Sequence, residues 1–391
     1  MTALLTSLFG RLPIGWLQLT HNRTRFAAAL AGVAFANILI FMQLGFLGAL
    51  IESIKLPYRL MDGQILVQAS DANTLQDGSP LPRQRMYQAL AVPGVVDVTP
   101  LYYGRLDWKQ PDGTIRTLDV FGVDPNAPVF RSDALLAARD QLKLADVALI
   151  DRRTRNIPED LIPAIEAGTP YTFEANSRTV TVVGTFEIGG GFSADGYLVV
   201  SDQTFLRLFR QRVAGAPNHV LVRVAAGADV ADVAAALRAS LPAADTVVRT
   251  IEQAQDKDQS FQTTQKPIGI IFGFGVVIGG LVGIIIVYQV LSTDVADHLK
   301  EYATFKAIGY PQRFFLGIVF EEALVLALFG FIPGVLIALG LYQVVAIVTG
   351  LPIAMSLTRP VFVLIATIAM CTISGAIATR RLANADPADL F

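Results

Sequence analysis

Two adjacent carboxylates, Glu321 and Glu322, stand inside a long apolar run, where an ionisable side chain costs on the order of a few kcal/mol unless it is paired or close to an interface. Two chemistries would keep them there, a proton relay or a salt link to a nearby basic segment; the plain alternative is a boundary pair that snorkels toward headgroups. A relay calls for a second buried acid or histidine on another helix, and the sequence shows none that reads as buried. The histidines, His21, His219 and His298, are too scattered for a zinc spacing such as HExxH. Cys371 is the single cysteine, so no multi-cysteine metal site and no intrachain disulfide can form. There is no GxxxxGK[ST] cradle for nucleotide phosphates and no GxSxG elbow. The chain is expected to be a non-catalytic subunit that binds no cofactor directly, with any ATP hydrolysis carried out by another polypeptide.

Other spacings concern packing and docking. Gly269 and Gly273, then Gly275, Gly279 and Gly283, form tandem GxxxG patterns, whose small faces let helices approach closely. They could pair two copies of the chain or pack against helices of the same chain. Gly330, Pro333 and Gly334 interrupt another apolar run, where proline removes a backbone bond and a kink is expected. Between these runs lies STDVADHLKEYATFKAIGYPQR, residues 292–313, read as helix-forming with Asp294, Asp297, His298, Lys300, Glu301 and Lys306 exposed. It is either a docking handle or a solvated loop.

The elements that must carry these residues follow from composition. The chain is 53% hydrophobic and 16% charged, with mean hydropathy +0.50, against about 25% charged in soluble domains. A net charge of −2 and a pI near 6.0 give no basic field for nucleic acid. Uncharged runs long enough to span a bilayer cover Phe26 to Ile51, Pro267 to Leu291, Phe314 to Val345 and Pro360 to Thr379. The first is too long for a signal-peptide core and reads as an uncleaved anchor. Arg11, Arg23, Arg25, Lys300, Lys306, Arg313, Arg380 and Arg381 would share one side, against Lys55, Arg59, Lys266 and Arg359. The first side reads as cytoplasmic, which puts both termini inside and the large domain outside.

Seen this way, residues 1–22 form an amphipathic interfacial helix, 23–52 the first transmembrane helix and 53–250 a periplasmic α+β domain. Strands are expected at Gln64 to Gln68, Val95 to Thr99, Ile115 to Val120, Thr179 to Thr185, Tyr197 to Val200 and Val220 to Val224, with a helix over Asp229 to Leu241. Residues 101–215 read as an inserted subdomain. The polar segment 251–266 is either a helical stalk running on into the second transmembrane helix, 267–291, or a flexible linker that nothing caps. The rest divides into a cytoplasmic segment (292–313), a third transmembrane helix (314–345), a short periplasmic loop (346–359), a fourth transmembrane helix (360–379) and a cytoplasmic tail (380–391).

VADHLKEYATFKAIGY, Val295 to Tyr310, resembles the coupling segment of MacB/FtsX-type ABC permeases, ending in Lys306-Ala307-Ile308-Gly309. Together with FEEALVLALFGFIPG it is most similar to the DevC branch, whose members serve as permease subunits of heterocyst glycolipid exporters. NRTRFAAALAGVAFA (Asn22 to Ala36), GTFEIGGGFSADGYLVVS (184–201), RRLANADPADLF (Arg380 to Phe391) and the position of Glu322 extend the resemblance over nearly the whole chain. His298 departs from the arginine common in the wider family. The resemblance implies a multi-pass homodimer in the bacterial inner membrane, each coupling segment seated on a separate P-loop ATPase that is DevA- or MacB-like and holds the ATP and Mg. The ATPase contacts would fall on Val295, Asp297, His298, Leu299, Lys300, Glu301, Tyr302 and Lys306. It further implies a DevB-like periplasmic membrane-fusion adaptor, a TolC-like outer-membrane channel and mechanotransmission in place of a membrane cavity, with glycolipid cargo. Two related layouts remain open: an FtsX-like regulator of envelope hydrolases, and a lipoprotein-releasing permease. A third, an intramembrane enzyme using Glu321 or Glu322, also belongs to the comparison.

Overall fold

The computed structural model describes residues 14–383. Residues 1–13 and 384–391, with the first part of the expected amphipathic helix and most of the RRLANADPADLF segment, lie outside them. The helices are α1 (Ile14–His21), α2 (Arg23–Leu60), α3 (Gln84–Leu90), α4 (Asp133–Ala137), α5 (Arg139–Leu142), α6 (Leu161–Glu166), α7 (Asp202–Leu208), α8 (Val230–Ser240), α9 (Ile251–Thr264), α10 (Pro267–Asp297), α11 (Leu299–Ala307), α12 (Gln312–Thr349) and α13 (Thr358–Ala383). The strands are β1 (Ile65–Ala69), β2 (Val95–Lys109), β3 (Ile115–Val123), β4 (Val147–Asp151), β5 (Tyr171–Ala175), β6 (Arg178–Phe186), β7 (Gly196–Ser201), β8 (His219–Val224) and β9 (Thr246–Thr250). The chain divides into a membrane unit, residues 1–48, 270–344 and 353–391, and an outer unit, residues 49–269 and 345–352.

In the membrane unit, α2, α10, α12 and α13 are long and apolar enough to cross a bilayer, since each satisfies its backbone hydrogen bonds internally. Two hydrogen bonds between polar groups in their interior cross between helices: the Thr367 hydroxyl donates to Asn37 Oδ1 at 2.6 Å and the Ser374 hydroxyl to the Ile284 carbonyl at 2.8 Å. The helix α12 runs unbroken through Pro333. Gly330 and Gly334 serve packing there: a Cβ on either would fall within 3 Å of Val33 or Asn37 on α2.

The outer unit is built on one nine-stranded mixed sheet ordered β5-β6-β4-β7-β3-β2-β8-β1-β9. Strands β8 and β9 both run antiparallel to β1, with α8 crossing between them. The long β2 pairs with β8 through its first half and with β3 through its second. Residues 101–215 therefore share this sheet, although they have their own apolar core around Trp108, Leu118, Val182 and Phe205. A second core, around Ile65, Val220, Val222 and Leu237, lies beneath α3 and α8.

The segment 251–264 is a helix with a defined start. The Thr250 hydroxyl accepts from the Gln253 amide at 3.2 Å while the Gln253 side chain returns to the Thr250 amide, a capping box. This corrects the expectation that nothing caps the stalk. It does not run on into the second membrane helix, because α9 ends at Thr264 and α10 begins at Pro267, a residue suited to a first helical position. Gly269 lets the start of α10 approach the Gln262 and Thr263 backbone, where a Cβ would meet the Gln262 carbonyl at 2.3 Å.

Candidate functional site

The segment between α10 and α12 is a short helix, α11, set off by a turn at His298 and closed by Gly309. Gly309 has φ of +103°, and the Tyr310 amide bonds back to the Phe305 carbonyl at 3.1 Å. That is a glycine-terminated helix end in which a side chain would be strained, and it gives the Lys306-Ala307-Ile308-Gly309 ending a backbone cause.

The segment has two faces. Val295 and Tyr302 are buried in the core of the membrane unit with Leu19, Phe315 and Ile318, and Leu299 packs against that core. The Tyr302 ring meets Phe315 edge to face at 5.7 Å and its hydroxyl donates to Gln18 Oε1 of α1 at 3.1 Å. Burial pushes the Tyr302 hydroxyl above the ordinary tyrosine range, with the nearby Glu322 and Asp294 carboxyls acting in the same direction. Tyr302 and Val295, both expected among the ATPase contacts, are thus buried as braces within the membrane unit and not exposed on the segment's surface. Asp297 and Glu301 are exposed, as are Ile308 and Tyr310 beyond the helix end. The side chains of Lys300 and Lys306 lie outside the described set.

Asp294, expected on the surface, is buried at 4% exposure. Its place follows from Arg25, which the N-terminal turn of α2 presents: Arg25 bonds Asp297, and its Nη2 lies 3.9 Å from Asp294 Oδ1. His298 Nδ1 is 3.0 Å from the Asp294 carbonyl. These residues, with Gln18 and His21, wall a cavity of about 190 Å³.

Glu321 and Glu322 are buried, at 1% and 0% exposure, which removes the snorkelling reading. Glu321 Oε1 accepts from the Trp16 amide of α1 at 3.2 Å. Gly15 makes that approach possible, since a Cβ there would meet both Glu322 Cγ and the Ile318 carbonyl at 2.9 Å. Neither Glu322 carboxyl oxygen has a hydrogen-bond partner among the described residues, and the carboxyl group beside it is that of Asp294. A buried acid on another helix thus accompanies Glu322 after all. The sequence signal was Asp294 itself, three residues past Leu291, which charge pattern alone assigns to a solvated loop.

Gly275, Gly279 and Gly283 of α10 face their own chain. A Cβ on Gly275 would meet the Gln43 side chain at 2.3 Å, one on Gly279 would meet Ile40 at 3.0 Å, and one on Gly283 would meet Met370 at 3.0 Å and Ala36 at 3.2 Å. Among the described residues, no three His, Cys, Asp or Glu side chains gather as a metal set.

Comparison with known proteins places these features in one family. The MacB-like periplasmic core domain matches residues 26–240 and the FtsX-like permease C-terminal domain matches residues 273–387. Two uncharacterised ABC transporter permeases of Mycobacterium tuberculosis, from strains CDC 1551 and H37Rv, are each 22% identical over 327 residues, 83% of this chain and 83% of theirs. Among solved structures, the periplasmic region of MacB from Actinobacillus actinomycetemcomitans aligns at 11% identity and a TM-score of 0.35, covering 50% of this chain and 92% of that one. The extracellular domain of the noncanonical ABC-type transporter YknZ from Gram-positive bacteria aligns at 12% identity and a TM-score of 0.33, covering 48% and 98%. With the two matched domains spanning most of its length, the chain belongs to the MacB/FtsX-type ABC transporter permeases.

Proposed function

We propose that this permease couples ATP hydrolysis by a separately encoded P-loop ATPase to movement of its outer domain, driving export of an envelope lipid or glycolipid as in the DevC branch. The observation that carries the reading is the two-faced α11. Its buried face, through Tyr302 and Val295, fixes it to the core of the membrane unit, while Glu301, Ile308 and Tyr310 stay exposed for a partner. A force on the exposed face is then delivered to packed helices and not lost in a loop. In this reading both termini and α11 are cytoplasmic and two copies assemble. A DevB-like adaptor with a TolC-like channel takes the cargo from the outer domain. The proton-relay and enzyme readings gain a neighbouring acid in Asp294 but no route beyond it, and the coupling reading is preferred.

The test is co-purification with the co-expressed ATPase. Ile308→Asp and Glu301→Arg should each lower recovery at least tenfold, while membrane insertion and the melting temperature stay unchanged. Full recovery of the ATPase with the double variant would overturn the assignment of this face.

A further inference from the structure

The outer unit contains a cavity of about 620 Å³ that the coupling reading does not use. Three cations from three separate segments line it: Arg105 of β2, Arg212 of the loop after α7, and Lys266 in the break between α9 and α10. Its lining includes Pro267 and Ile268, the first residues of the membrane-spanning helix α10.

Of the three cations, Arg105 alone is ion-paired among the described residues, with Asp119. Arg105 is held in place, with Nε donating to Asp119 Oδ1 at 3.1 Å and Nη2 to Gln76 Oε1 at 3.3 Å. Arg212 and Lys266 have no ion-pair partner among the described residues, and the Lys266 ammonium lies 5.2 Å from the Phe261 ring centre. The one carboxylate in the wall, Asp77, is engaged in its own turn, where its Oδ1 accepts from the Asn73 and Thr74 amides at 2.8 and 2.7 Å. Neutral donors and acceptors from Gln76, Ser193 and Gln262 complete the lining. A volume in the range of small-molecule sites, arginines that can fork onto an oxyanion and hydroxyl or amide groups around them suit a phosphorylated polyol.

We propose that this cavity binds a phosphate-bearing anionic head, of the kind shared by an acidic glycerophospholipid and a free sugar or glycerol phosphate, with Arg212 and Lys266 as the principal contacts and Arg105 as the anchored third. The assignment rests on the export reading and deepens it by naming a charge class for what the outer domain binds.

The test measures binding by the purified full-length chain, independently of transport. Dihexanoyl phosphatidylglycerol is titrated with the Trp108 fluorescence or native mass spectrometry as readout, and dihexanoyl phosphatidylcholine and glycerol 1-phosphate are run in parallel. Saturable phosphatidylglycerol binding is expected, with at least tenfold weaker binding to phosphatidylcholine. The double variant Arg212→Gln, Lys266→Gln should lose at least tenfold in affinity, and Arg212→Lys, Lys266→Arg should keep most of it at an unchanged melting temperature. Competition by glycerol 1-phosphate at equal concentration identifies a soluble ligand as the source, and its failure to compete identifies the lipid. Absence of saturable binding, equal binding of phosphatidylcholine, or full affinity in the glutamine variant overturns the inference and leaves ATPase docking untouched. Intact binding with no ATPase association would instead remove the coupling reading and keep the site.

Discussion

Asp258 in the outer unit and Glu322 in the membrane unit are both buried carboxyls, and their surroundings differ. Asp258 on α9 accepts from the Tyr58 hydroxyl at 2.9 Å, the Leu75 amide at 3.0 Å and Gln262 Nε2 at 2.7 Å. Burial raises its proton affinity above the usual carboxylate range while the Gln262, Leu75 and Tyr58 hydrogen bonds oppose that rise. Glu322 has no such donors and faces another acid. The outer unit spends its buried polar groups on tying segments together, and Asp258 fixes the stalk helix to the loop after β1 and to the end of α2. In the membrane unit the backbone is already satisfied within each helix, so shape depends on how closely bare backbones approach, and ionisable groups gather at one end beside α11.

That contrast can be tested one unit at a time, because each unit contains one of the two tryptophans, Trp16 and Trp108. The largest effect is expected from Asp258→Ala, which leaves three donors without their acceptor; a loss of about 3 to 5 kcal/mol is expected. Denaturant unfolding read by Trp108 in a Trp16→Phe background should shift by that amount, while Trp16 fluorescence in a Trp108→Phe background should move little. An equal shift in both signals would show that the two units unfold as one and would break the comparison.

Next in size is a pH effect confined to the outer unit. His219 is fully buried, with Nε2 2.8 Å from the Leu75 carbonyl and Nδ1 3.4 Å from Gln68 Nε2. Burial moves its pKa from 6.5 down to about 4, against the pull of the Leu75 carbonyl and Asp77. The unfolded chain takes up this proton first as pH falls, so stability present above 6.5 should be lost toward pH 4, by about 3 kcal/mol. Asp119, Asp151 and Asp258, whose proton affinities burial raises, act in the opposite direction above the ordinary aspartate value. The difference in slope between the wild type and His219→Gln isolates the imidazole, and parallel slopes would deny it this role.

Much of this was legible from residue types and some was not, for reasons that again divide by unit. The lipid requirement for long apolar helices made α2, α10, α12 and α13 visible, with ends extending past the apolar runs where the helix continues beyond the bilayer. β-Branched and aromatic content marked β1, β3, β6, β7, β8 and the start of β2. It missed β5 and also β4, Val-Ala-Leu-Ile-Asp, whose residues are buried on both faces and show no alternation. The Thr250 to Gln253 capping box was in plain view as a T-x-x-Q spacing. The burial of Asp294 and Tyr302 was not, because it depends on Arg25 and Gln18, more than 260 positions away in sequence. Helical periodicity cannot report which neighbours will cover a charged turn.

Glycine substitutions carry the smaller effects, and they sharpen the membrane side of the contrast. Gly330→Ala places a methyl 2.6 Å from the stiff Val33 side chain of α2, and a loss of about 1 to 3 kcal/mol, read by Trp16, is expected. An unchanged midpoint would show that the helices separate at little cost and that the close approach is incidental.

The smallest effect belongs to Gly273, the one glycine of the expected tandem motifs with nothing within 4 Å of its Cβ position. It lies beside Ile271, Phe274, Val277 and Ile278, each more than half exposed, on the outward side of α10. With no contact to lose, Gly273→Ala should gain helix propensity and stabilise the monomer in detergent by up to about 1 kcal/mol. If a second copy packs its backbone against this face, the added methyl would instead separate the pair, and cross-linking through single cysteines placed at Val277 would fall. A stability gain with cross-linking unchanged would assign this side of α10 to lipid, and place the pairing surface away from every glycine whose spacing first suggested it.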